Sequence, residues 1–221
     1  VGSNALDAPT TGGSYSTAIG YNALTAITTA THNTGVGHSA LAATTTGASN
    51  VAVGNGVLDA NTSGADNTAI GKNALGANTT GGTNTAVGGS ALTTNTTASG
   101  NVAVGFAAMQ LNTTGAENVA VGASALNANT TGAGNTAVGK GAGAAVTTGN
   151  NNTIVGKLAG DAITTGGANV AIGEDALSAA TTADNNTAVG QGALEANTSG
   201  TKNVAVGTGA GAAVTTGASS T

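Results

Sequence analysis

The chain has 221 residues, a formal net charge of −5, and only 6% charged and 1% aromatic residues, where an ordinary soluble domain is about a quarter charged. Four scattered lysines and no arginine cannot form the clustered basic patch that nucleic acid requires, and the absence of cysteine excludes disulfides and thiolate metal sites. No apolar run approaches the roughly 20 residues of a membrane-spanning helix, and frequent Val, Ile and Thr oppose the disorder that so much Gly, Ser, Thr and Asn would otherwise imply.

A Val/Ile-Gly dipeptide recurs along the chain, with its glycine at residues 2, 20, 37, 54, 71 and onward to 207. The first interval is 18 residues and the other eleven are 17, the extra residue falling in the Ser14–Thr17 stretch near Tyr15. The composite unit reads G-x-x-A-L-x-A-N-T-T-G-x-x-N-T/V-A-V, which makes residues 1–221 a single repeat domain of thirteen copies, the last incomplete. The chain opens at Val1 rather than Met and stops within a unit at Thr221, the expectation for a processed product or a piece of something longer.

Within one unit, numbered from its first glycine, the elements are predicted in order. The opening V-G is a turn, with glycine supplying backbone angles that other residues resist. A-L-x-A, positions 4 to 7, is a short extended segment. N-T-T-G, positions 8 to 11, is a second turn. N-T/V-A-V, positions 14 to 17, is a short strand with β-branched residues on alternate positions. Two short strands and two turns form one coil of an all-β parallel β-roll or β-solenoid with 17-residue coils. Helical repeats are excluded, because they need about 33 to 47 residues per unit. At a rise near 4.8 Å per coil, thirteen coils make a rod of roughly 60 Å.

Three patterns within the unit support this. All thirteen charged residues fall at positions 2, 3, 6, 12 and 13, so these five positions face water and the rest are buried or held in turns. Position 5 is Leu in nine copies and Met109 in one; where it is Gly143, Gly160 or Gly211, position 8 changes from its usual Asn to Val146, Ile163 or Val214. Bulk lost at one position returns at the other, so both reach one internal space. Asn at position 14 of eleven copies, from Asn33 to Asn203, forms an amide ladder in register, and the Thr/Ser residues of positions 9 and 10 bond likewise.

The strand has Val or Ile at position 17 and Thr or Val at position 15 on one face, with Ala at position 16 on the other. Both faces are uncharged, and one coil encloses room for few side chains. A side-by-side homo-oligomer, most economically a homotrimer, covers the second face. The recurring N-T/V-A-V/I-G, as in Asn84–Gly88 and Asn118–Gly122, resembles the head repeats of trimeric autotransporter adhesins and the repeat regions of bacteriophage tail fibres, and does so over essentially the whole chain. The resemblance implies a trimeric left-handed parallel β-roll, placed outside the cell or on a virion, that presents a surface to a host or matrix. The family's usual head unit is a few residues shorter, and no heptad stalk or anchor segment is present in this sequence.

Nothing in the repeat has the convergent titratable groups that catalysis needs, so neither an enzyme nor a cofactor is expected. His32 and His38 are the only histidines and read as solvated side chains rather than a metal site. Glu174, Asp175 and Asp184 form a small acidic group that reads as a solvated face. The glycines read as turn residues rather than a phosphate loop, which would need a strand and helix around it. Tyr21 and Phe106, both at position 2, are the candidate binding residues, as exposed rings for stacking on a glycan of a cell-surface receptor. The functional expectation is a non-enzymatic extracellular shaft, adhesin or tail-fibre rod. The alternatives are a filament subunit stacking end to end and, from the Thr columns, an ice-binding solenoid.

Overall fold

A computed structural model describes residues 2–7 and 15–219 of the chain. Val1, Ser14 and Thr221, and with them part of the inserted stretch and the two chain ends, lie outside the described residues. The protein is all-β, with no helix among the described residues, and divides into two compact units, Val1–Thr114 and Gly115–Thr221.

The first unit carries β1 (Thr17–Ile19), β2 (Thr34–Val36), β3 (Val51–Val53), β4 (Thr68–Ile70), β5 (Thr85–Val87) and β6 (Val102–Val104). The second carries β7 (Val119–Val121), β8 (Thr136–Val138), β9 (Thr153–Val155), β10 (Val170–Ile172), β11 (Thr187–Val189) and β12 (Val204–Val206). In each unit, strands consecutive in sequence pair in parallel, always displaced by 17 residues: Thr68 lies beside Thr85, Ala69 beside Ala86, and Ile70 beside Val87. This is the expected parallel β-solenoid with one 17-residue coil per repeat.

The coil holds one strand of three residues, not two. A-L-x-A is not extended: it is a run of overlapping turns. Ala74 N–H donates to the Gly71 carbonyl, Gly76 N–H to Asn73, and Asn78 N–H to Leu75, all within one coil. The alternate amides reach neighbouring coils, Asn73 to Asn55, Leu75 to Ala91, and Ala77 to Thr93. Local and axial bonds thus alternate residue by residue. To point the amides in both directions, positions 3 and 5 turn left-handed, with φ of 59° at Asn73 and 53° at Leu75. Asn, Ser or Gly at position 3 tolerates this; Leu at position 5 does so at a cost of about 1–2 kcal/mol, offset by complete burial of its side chain.

The opening glycine of an internal unit such as Gly71 is required twice. Gly71 has φ of 125°, and a Cβ placed there would lie 2.6 Å from the carbonyl carbon of Gly88 in the next coil. No side chain fits between coils at that corner.

The interior is thin and is built from positions 4, 5, 8, 11, 14 and 16. Ala74, Leu75, Asn78, Asn84 and Ala86 are all fully buried. Positions 5 and 8 do share one space: a Cβ on Gly143 would meet Val146 at 3.4 Å, Leu126 at 3.1 Å and Ile154 at 2.9 Å. Ile154, at position 16, is a third participant in this exchange. The reverse trade occurs where Leu24 and Ile27 are both large. There position 16 is Gly35, and its missing Cβ would stand 3.4 Å from Leu24.

The position-14 ladder forms as expected, and it is complete in its use of atoms. Asn67 Nδ2 donates to Asn50 Oδ1 at 3.0 Å and to the Gly81 carbonyl at 2.9 Å. Its Oδ1 accepts from the backbone N–H of Asn84 at 3.0 Å and from Asn84 Nδ2 at 3.1 Å. A second ladder runs at position 8, where Asn78 donates to Asn61 and Asn95 to Asn78, each at 3.0 Å.

Candidate functional site

The outer surface of a coil is divided by chain order. The charged columns at positions 2–3, 6 and 12–13 lie outside, as expected, but two uncharged strips share the surface with them. The first is the outward face of the strand. Position 16 points inward, so it is the large face, positions 15 and 17, that stands in water: Ile70 is 40% and Val138 37% exposed. The second strip is the N-T-T-G bend. Thr79 N–H and Thr80 N–H both donate to the Thr96 carbonyl, and Thr79 Oγ1 donates to that same oxygen at 3.1 Å. The position-9 hydroxyl is therefore consumed internally in coil after coil, as with Thr45 on Thr62 and Thr147 on Thr164. Position 10 is exposed in every described coil from Thr29 to Thr216. The inference that only five positions face water is thus corrected: positions 9, 10, 15 and 17 also do, without ever carrying charge.

The two candidate aromatic residues occupy one column but are not brought together. Tyr21 stacks on His38 of the next coil, with ring centroids 5.4 Å apart. Phe106 lies over Gly89, its ring 3.6 Å from where a Cβ would be. The residues are five coils apart, about 24 Å at the parallel-strand spacing, so they offer two separate rings rather than one platform. His32 stacks on Tyr15, at 5.1 Å between centroids. Both histidines thus sit against a tyrosine, on opposite borders of the strand.

The acidic group in the second unit is dispersed by its own contacts. Asp184 Oδ1 accepts from the Gly167 N–H at 2.7 Å. Glu174 pairs with Lys157 across one coil, also at 2.7 Å, and this hydrogen bond, together with its charge, raises the lysine above its usual range. Among the described residues no three His, Cys, Asp or Glu side chains gather as metal ligands. Burial pushes the Asp59 and Asp161 carboxyls above the ordinary range, and for Asp161 the nearby Asp175 charge adds to this. The repeated glycines do not cradle an anion: Gly88 N–H donates to the Ile70 carbonyl and Gly105 N–H to Val87, each at 2.8 Å.

No helix among the described residues is long and apolar enough to cross a membrane.

An uncharged outer strand face was expected; which of the two faces it is, and the exposed uncharged bend at positions 9 and 10, are what sequence reasoning missed. Their signal was present in the substitutions. Position 15 exchanges Thr with Val, which have one shape; position 10 exchanges Thr with Ser, which share one hydroxyl. No protein-family model matches the chain, and searches of curated proteins and of solved structures find no match either.

Proposed function

We propose that the chain is a non-enzymatic structural segment of an extracellular fibre, of the shaft or adhesin kind, in which each repeat adds length and stiffness. The observation that carries this reading is the direction of the bonding. The asparagine ladders, the Thr79-type hydroxyls and the strand pairs all join residues 17 apart. Within each unit the strand pairing and the position-14 ladder repeat from coil to coil, so each added copy adds length. The outward Thr/Val and Val/Ile strip is the surface on which copies pack side by side, most economically as a homotrimer. A receptor, a glycan among the candidates, is then met by another part of the assembly.

Deleting two whole coils, Gly71 to Val104, tests this. The register of the remaining coils is preserved, so a folded protein shorter by about 10 Å is expected, with attachment to its target surface intact. Loss of attachment by a folded, shortened fibre would place the recognition surface in these repeats and overturn the spacer reading.

A further inference from the structure

Positions 9 and 10 both keep a hydroxyl throughout, but the position-10 row alone leaves it without an internal bond in every described coil. Position 10 is Thr or Ser in all twelve coils from Thr29 to Thr216, with Ser63 and Ser199 as the serines. Every one is exposed. Exposed position 2, by contrast, passes freely through Tyr21, His38, Asn55, Lys72, Gly89 and Phe106. Something keeps a hydroxyl at position 10.

The fold does not account for it. Ser and Thr are favoured in bends when the side chain bonds to nearby backbone, yet among the described residues none of these hydroxyls makes a hydrogen bond within the chain. The neighbouring Thr at position 9 makes that bond instead. Nor is side-chain shape what is kept. Val, the isostere of Thr, never occurs at position 10, whereas Ser, which lacks the methyl, does. The local triplet Asn78-Thr79-Thr80 has the form of an N-glycosylation acceptor, but its Asn is fully buried in a ladder. The hydroxyl also persists as Thr29, Thr148, Thr165 and Thr182 where position 8 is Ile27, Val146, Ile163 or Ala180. It is therefore not kept for the asparagine.

We infer that the position-10 hydroxyls are acceptor sites for O-linked sugars. Each stands free, exposed and at the same place on a bend held by converging amides, so a transferase that accepts one accepts all. In the transfer, the hydroxyl oxygen attacks the anomeric carbon of a nucleotide-activated sugar. The new C–O bond forms as the bond to the nucleoside diphosphate breaks, and the hydroxyl proton passes to the transferase's base. A neutral group suits this row. Phosphates would place about −1.5 to −2 on each coil at a spacing near 4.8 Å, on a chain that already carries −5 and has only four lysines. An ice-binding face would rely on methyl groups in a fixed array, and the serines break that array while preserving the acceptor.

Peptide mapping by mass spectrometry of the protein isolated from its natural host tests the inference. Peptides covering Thr79–Thr80 and Thr96–Thr97 should exceed their sequence masses by whole sugar residues, with fragmentation placing the sugar on Thr80 and Thr97. Thr80→Val and Thr97→Val should each remove one increment and leave the β circular dichroism unchanged. Peptides at their sequence masses, increments of phosphate, or sugar placed on Thr79 or Thr96 would overturn it.

Discussion

Thr44 has a buried hydroxyl with no hydrogen-bond partner. It stands at position 8, where the neighbouring coils carry Ile27 and Asn61, and its hydroxyl takes no part in the amide ladder. Thr44→Val keeps the shape and removes the orphan, and is expected to stabilise the protein by about 1–2 kcal/mol, read as a shift in denaturant midpoint at unchanged slope. Asn67 is the opposite case. All four of its hydrogen-bonding sites are used in a buried place, so Asn67→Ala strands several buried partners at once and should cost about 3 kcal/mol or more. Asp161 gives a pH signature. Burial raises its folded-state pKa above the ordinary 3.8, so the folded chain binds the proton more tightly than the unfolded chain does. Ionisation therefore subtracts from stability at about pH 7, and the penalty is relieved as the pH falls through the raised pKa. Asp161→Asn should accordingly stabilise at neutral pH, with the gain fading as the pH approaches 3.8; a gain that grows on acidification would contradict the burial assignment.

At the scale of the coil, the 17-residue period, the strand and the Asn ladder were legible because each depends on residue type at a fixed spacing. The exchange between Gly143 and Val146 was legible for the same reason. Two features were not. A-L-x-A reads as extended because Leu rarely turns left-handed, and only the bonds to the coils on either side make φ of 53° at Leu75 worthwhile. Which strand face points inward was also hidden. Both faces are uncharged, and usual practice would bury Val and Ile rather than Ala. The coil is too narrow for that, because Leu75 and Asn78 already fill the space opposite Ala86. Ile154 exposes this limit: it is the one Ile at position 16, and it fits because Gly143 and Gly160 stand beside it, each with a virtual Cβ within 3.4 Å of its side chain. Gly143→Leu alone should destabilise by overpacking, about 1–3 kcal/mol, and Ile154→Ala alone by leaving a cavity, about 2–5 kcal/mol. Together they approach the common Leu-and-Ala coil, so the double variant should be more stable than the sum of the two predicts, by about 1 kcal/mol or more in a double-mutant cycle. Simple additivity would mean that the two side chains do not compete for one space.

At the scale of the whole molecule, the proposed oligomer depends on the outward strand face in each unit. Its side chains are β-branched and stiff at χ1, they recur at each coil, and neither column holds a charge. Ile19, Val53 and Ile70 each leave a third or more of their surface in water, while the charged columns border this strip at Asp66 and Lys72. An apolar strip with a polar rim is the usual anatomy of a protein contact. A second copy of the same strip fits it because the two surfaces share one spacing. Multi-angle light scattering should therefore give a multiple of 20.2 kDa, three-fold in the most economical arrangement. Val53→Lys combined with Ile70→Lys places two charges on the strip without touching the interior, since both side chains already face out. The double variant should dissociate to a 20.2 kDa species that retains its β circular dichroism. Control substitutions at exposed position 10, such as Thr80→Lys, should leave the assembly intact, because that bend lies on a different side of the coil. A wild-type protein that is already a stable monomer, or a double variant that remains assembled, would remove the strip as the contact and leave the spacer reading to stand on the bonding between coils alone.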